Sequence, residues 1–199
     1  MLTSFDFTKN YILENERVIM EPMDGNNSTH LFPFSINEPK IWEFSLLQVA
    51  GEENFNKYIA SSLLSREQKT AYPFVVFDKQ LNAYAGSTRF YDIQLTNKSL
   101  QLGYTWYGSK FQGTGLNKHC KFLLLQFAFE TMGMERVEFR ADKNNKRSIA
   151  AMKRIGCTIE GILRSNVPNA SGSRRDSIIL SILKNEWESH VKANLLSML

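Results

Sequence analysis

Cysteine is nearly missing from this chain: Cys120 and Cys157 are its only two among 199 residues. One isolated pair builds no disulfide framework and has no metal-ligand spacing, so both read as small buried apolar side chains. Histidine is as sparse. His30, His119 and His190 are far apart and form no His-Glu-x-x-His pair, and no metal is expected. No apolar run reaches the ~20 residues that a bilayer-spanning helix needs. The stretch Met1 to Asn10 carries Asp6 and lacks the apolar segment and cleavage site of a secretory leader. A cytoplasmic protein with no membrane partner is expected. Linker-like shifts in composition are also absent, which argues for one domain over residues 1–199, with its core at about 17–187.

What is present suits a packed α/β domain. An apolar fraction of 43% with 12% aromatics is enough for one full core. Basic residues number 24 against 20 acidic ones and are scattered, which favours local anion sites over a nucleic-acid stripe. Glu16 to Pro22 reads as a first strand, closed by the Asp24-Gly25-Asn26 turn, and a helix is expected from near Asn27 to Ile36. Phe55, Ile59 and Leu63 repeat every four residues and predict a helix over about Glu52 to Glu67. Trp42 and Phe44, just before it, suit either the core or the wall of a cleft. Tyr72 to Phe77 and Ala83 to Tyr91 predict a hairpin, with Gly86 marking a bulge or close approach. Leu100 to Tyr107 then alternates as a third strand of the meander.

A glycine loop organises the chain. Phe111-Gln112-Gly113-Thr114-Gly115-Leu116-Asn117 joins the Leu100 to Tyr107 strand to a helix reaching about Met132, apolar nearly all round and therefore sandwiched. Two glycines one residue apart permit backbone angles that a Cβ would forbid. Successive N–H groups can then turn inward at the positive end of the helix, as a phosphate site requires. The loop lacks the third glycine of the dinucleotide fingerprint and the Gly-Lys-Ser/Thr of the nucleoside-triphosphate loop. A purely structural turn would look similar.

Glu135 to Arg140 reads as a strand reached by a helical crossover, hence parallel to the strand before the loop, which puts the loop at a ligand-binding sheet end. A short helix from Asn144 to Gly156 buries Ile149, Met152 and Ile155. Cys157 to Arg164 and Asp176 to Leu183 read as two last strands, joined by a polar loop with Pro168, Gly172, Arg174 and Arg175. A final helix is expected from about Lys184 to Ser197.

In this order, strand, Gln-x-x-Gly-x-Asn loop, helix, strand, Asn-x-x-Ser helix, Ile155-Gly156-Cys157 and Glu160-Gly161-Ile162-Leu163-Arg164, the chain resembles the RimJ/RimL-type branch of the GCN5-related N-acetyltransferases. The closing Arg175 to Trp187 fits it too. Asn117, at the sixth loop position, departs from the family's glycine or alanine. The resemblance implies a single-domain fold with a mixed, mostly antiparallel seven-stranded sheet, splayed at two central parallel strands and flanked by helices on both faces. It implies acetyl-CoA as co-substrate, with pyrophosphate on Gln112, Gly113, Thr114, Gly115, Leu116 and Asn117, and pantetheine along Thr105, Trp106 and Tyr107. Pairing of that arm with a strand would mimic strand addition, and a backbone N–H there would suit an oxyanion.

Asn145 stands where the family holds the pantetheine arm with an asparagine; a helix cap is the alternative, which Asn144 could equally fill. Ser148, one turn on, either donates to the departing thiolate or caps the helix. The family's tyrosine acid is replaced by Met152. No base is evident, since Glu138 and Glu160 could each point to solvent. Lys143, Lys146, Arg147, Lys153 and Arg154 meet the CoA 3′-phosphate or are simply solvated. The acceptor is expected to be an α-amine of a protein, peptide or amino acid. A small-molecule amine, or a non-catalytic acyl-CoA-binding module, is the alternative, and a homodimer is compatible with the sequence.

Overall fold

The structure, a computed structural model, describes residues 5–169 and 172–199. Residues 1–4, part of the stretch expected to carry no leader, and residues 170–171, part of the expected loop before Arg174, lie outside the described residues. Strands β1 (Leu13–Glu14), β2 (Val18–Pro22), β3 (Ala71–Asp78), β4 (Ala83–Gln94), β5 (Ser99–Tyr107), β6 (Arg136–Asp142), β7 (Thr158–Pro168) and β8 (Arg174–Leu183) make one sheet in the order β1-β2-β3-β4-β5-β6-β8-β7. Eight strands replace the seven expected. The extra one is β1, whose Leu13 and Glu14 pair with Met20 and Ile19; two residues cannot display an alternation.

Helices cover both faces. Helix α1 (Phe32–Asn37) and α2 (Glu52–Glu67) lie on one face, around a core of Met23, Leu31, Trp42, Phe55, Tyr58, Val75 and Trp106. The other face carries α3 (Leu116–Gln126), α4 (Lys146–Arg154) and the C-terminal pieces α5 (Lys184–Glu186) and α6 (Lys192–Leu196). Leu116, Cys120, Leu124, Leu125 and Ala128 are fully buried there, each leucine contributing roughly 2 kcal/mol by leaving water. The helix after the glycine loop turns π-helical over Phe127–Thr131, and the C-terminal helix does so over Trp187–Val191. These turns meet where Trp187 stacks on Phe129 at 5.6 Å and donates Nε1–H to Glu130 at 2.9 Å. Among the described residues no helix is long and apolar enough to cross a membrane.

The sheet opens at the one parallel pair among the described strands. Strands β5 and β6 align for three residues, Ser99 with Arg136, Leu100 with Val137 and Gln101 with Glu138, and then separate. A bulge starts the separation: β4 advances from Ser87 to Arg89 while β5 falls back from Trp106 to Gly103, and the extra residue leaves Tyr104 at φ +49°. Gly86 lies opposite because a Cβ there would meet the Trp106 carbonyl oxygen at 2.0 Å. The expected close approach is thus a backbone contact.

Candidate active site

The opening between β5 and β6 is rimmed by the glycine loop on one side and the start of α4 on the other. Gly113 and Gly115 have φ of +77° and +92°, yet a Cβ at either would meet nothing within 4 Å. Glycine is needed here for backbone angle, not for room. Among the described residues, the N–H groups of Gly113, Thr114, Gly115 and Asn117 donate to no carbonyl, and α3 starts with neither a side-chain cap nor an acidic residue in its first turn. Unused donors and an unopposed helix dipole make an anion cradle.

The cradle is braced from three directions. Thr114 Oγ1 donates to the Phe111 carbonyl at 2.8 Å, and Arg17, paired with buried Asp78 at 2.9 Å, reaches the Thr114 carbonyl at 3.5 Å. Gln112 Nε2 donates to the Tyr107 carbonyl at 2.8 Å, while its Oε1 accepts from Arg147 of α4. A single amide therefore straps the two sides of the opening. Because Gly108 N–H donates across to Ala85 at 2.9 Å, the trans peptide turns the Tyr107 carbonyl the opposite way. In extended backbone the Tyr107 N–H points with it, into the opening.

The side chains of the candidate strand residues divide between the two faces. Trp106 is buried against Trp42 at 5.0 Å and donates to Tyr58 at 3.3 Å, so only its backbone borders the opening. The Tyr107 hydroxyl is buried and faces the Cys120 thiol. Burial pushes both groups up, Cys120 to about 11. Thr105 shares a 2.8 Å hydrogen bond with Thr88 and accepts another from Lys121 Nζ at 2.9 Å.

At α4, Asn145 is the cap: its Oδ1 accepts from Ser148 N at 3.0 Å. That use leaves its Nδ2 donors, like the Ser148 hydroxyl, with no partner among the described residues. Asn144 instead donates its N–H to Asp142 at 2.8 Å. Met152 faces the core. Of the basic cluster, Arg147 meets Gln112 and Lys143 pairs with Asp176 at 2.6 Å.

Glu138 and Glu160 lie on the face away from α3, in ion pairs. Glu138 takes Arg136 at 2.8 Å and Arg140 at 2.7 Å. Glu160 accepts from Arg136 at 2.6 Å and from Ser181 at 2.7 Å, and the Arg136 hydrogen bond chiefly holds its carboxyl down to about 2. A carboxylate held so low is a poor base near neutrality. Trp42 belongs to the core, whereas Phe44 is exposed and its carbonyl faces Arg175 at 3.4 Å. His30 stacks on Tyr84, His119 lies 3.1 Å from Asn15 and His190 meets Ser189. Among the described residues no three His, Cys, Asp or Glu side chains are grouped to hold a metal.

Sequence reasoning misses Lys121, Arg17 and the Gln112 to Arg147 link. For Lys121 a signal exists, a lone lysine inside an otherwise apolar stretch of helix; the other two are contacts between distant segments.

Known proteins share this architecture. The model of the acetyltransferase (GNAT) domain family matches residues 17–158. A Bacillus subtilis (strain 168) protein named as a putative ribosomal N-acetyltransferase, YdaF, is 31% identical over 103 residues, which are 52% of this chain and 55% of that protein. The chain thus matches about half the length of that curated relative. A GCN5-related N-acetyltransferase from Brucella melitensis superposes with a TM-score of 0.85 at 23% identity, over 95% of this chain and 85% of that one. RimL, a ribosomal L7/L12 α-N-protein acetyltransferase solved with coenzyme A, gives 0.77 at 20% identity, over 88% and 99% of the two chains. At such identities these two structures carry the fold alone. The family model spans most of the chain, from β2 to the start of β7, and the chain belongs to the GNAT acetyltransferases.

Proposed function

We propose that this protein transfers the acetyl group of acetyl-CoA to an α-amino group of a protein, peptide or amino acid. The observation that carries the reading is the set of unused N–H groups of Gly113, Thr114, Gly115 and Asn117, at an uncapped helix start beside a parallel pair that splits. In this reading the loop and the Leu116 N–H bind pyrophosphate, and the outward edge of Thr105 to Tyr107 pairs with pantetheine. Asn145 Nδ2 donates to the same arm. The Tyr107 N–H is aimed to hold the thioester carbonyl as it becomes an oxyanion, and the free Ser148 hydroxyl hydrogen-bonds the departing sulfur. Bound acetyl-CoA supplies the activated acyl group.

The charges around the opening favour a single amine over a polyamine. Glu138 and Glu160 are already neutralised by arginines, while Arg175 and Lys121 are buried beside the gap with no carboxylate bonded to them among the described residues. A polyamine needs free acids to hold its cations. An α-amine, ordinarily titrating near 8 where a lysine titrates near 10.4, tolerates the lack of a strong base. Initial rates with a free-amino-terminal peptide, the same peptide blocked but carrying lysine, and spermidine test this. Preference for either of the last two would overturn the acceptor class, and no acyl transfer to any amine would leave an acyl-CoA-binding module. A cytoplasmic location suits the two free cysteines. A second copy would dock on β7, an edge strand exposing Ile159, Ile162 and Leu163; a monomeric mass in sedimentation would exclude it.

A further inference from the structure

Lys121 is only 5% exposed, on a helix whose other buried side chains are apolar except His119. Its ammonium donates to Thr105 Oγ1 at 2.9 Å and lies 5.7 Å from the Phe139 ring. Thr105 is four residues beyond the last paired residue of β5, and Phe139 one beyond that of β6. The charge therefore sits at the floor of the opening, where the two strands part. Around it are Thr88 of β4 and Thr105 of β5, Phe139 of β6, Cys120 of its own helix and Cys157 beyond α4. None is a carboxylate. A buried cation without an anion weakens a fold, so a use for it in chemistry is expected.

Resting on the acetyltransferase reading, we propose that Lys121 is the proton source for the CoA thiolate. The amine nitrogen attacks the thioester carbon, and the carbon–sulfur bond breaks with its electron pair going to sulfur. The Lys121 ammonium gives sulfur its proton and becomes a neutral amine. The proton shed by the new amide nitrogen then returns to Lys121 through solvent, so that charge and atoms balance. Desolvation supports the role, holding the lysine down to about 8, close to the ~8.5 of an ordinary thiol. A proton passes readily between groups so matched. Ser148 can hydrogen-bond the sulfur but has no proton to give near neutrality.

The test is Lys121→Met, which keeps length and removes charge. We expect turnover to fall about a hundredfold with the KM for acetyl-CoA changed less than about threefold, while the melting temperature rises. The thiol of bound CoA, followed by thiolate absorbance against pH, should titrate higher in the variant than in the unaltered protein. Lys121→Arg keeps the charge but holds its proton, and should restore the thiol titration without restoring turnover. Unchanged turnover and thiol titration in a folded Lys121→Met protein would overturn the proposal. If the unaltered protein does not bind CoA, the acetyltransferase reading falls, and this inference with it.

Discussion

Two sets of charges on the opened sheet are held in opposite ways. On the face turned from α3, Arg136, Arg140, Glu138 and Glu160 neutralise one another within 3 Å, and Arg136 is pushed further up by the Glu160 hydrogen bond. On the α3 face, Lys121 stands alone with a hydroxyl for company. The pairing holds Glu160 down and Arg136 up, so each keeps its charge and holds shape. An unpaired charge is pressed toward neutrality by its surroundings, where a proton can be exchanged. Burial alone does not separate scaffold from chemistry: Arg89 is as buried as Lys121, yet it is held by Ser62 at 2.7 Å and by the Tyr104 ring.

The comparison breaks most readily at the donor cradle. Gly115→Asp places a Cβ at φ +92° and a carboxylate among the donors proposed to hold phosphate, and CoA affinity should drop by at least about a hundredfold. Calorimetry on folded protein checks this; unchanged affinity would move the pyrophosphate elsewhere.

Next comes Ser148→Ala. If the hydroxyl acts only as the sulfur departs, turnover falls about tenfold to a hundredfold with little change in CoA affinity. Unaltered turnover, with acyl transfer shown to be rate-limiting, would leave the Ser148 hydroxyl without a catalytic part.

Glu160→Gln is the contrasting substitution and should leave turnover within about twofold, because the group is spent in its ion pair. Its signature is acid stability. The folded carboxyl is depressed to about 2 from an ordinary 4.5, so its contribution is present above about 4.5 and lost as pH falls through about 2. Exposure limits the effect to under about 1 kcal/mol. Acid unfolding of the variant should be flatter between those pH values; a fall in turnover instead would make Glu160 part of the chemistry.

Much of this arrangement is legible in the sequence because it rests on local pattern. Helix α2 spans Glu52–Glu67 as its periodicity requires, and the glycine loop and the parallel crossover accord with spacing, whereas the choice of Asn145 over Asn144 as cap is made only by the fold. The rest depends on contacts between distant segments. Leu100 to Tyr107 alternates cleanly, yet β5 bulges at Tyr104 because β4 and β6 make different demands on it. Phe129 and Trp187 announce burial, but nothing local tells that the turns carrying them relax to π-helix against each other. Lys121 escapes a sequence reading because a lysine in a helix ordinarily snorkels to solvent; here Thr105 and the parting strands hold it inside.

The brace on the glycine loop has a consequence for the entropy of association. Thr114 is tied to Phe111 and to Arg17, and Gln112 to Tyr107 and Arg147. Each bond restricts backbone or side-chain freedom that an unbraced loop would surrender only on meeting its ligand. The ordering is completed as the chain folds. A phosphate bound in the proposed cradle would meet N–H groups already turned toward it, so more of the attraction between phosphate and backbone would survive as affinity.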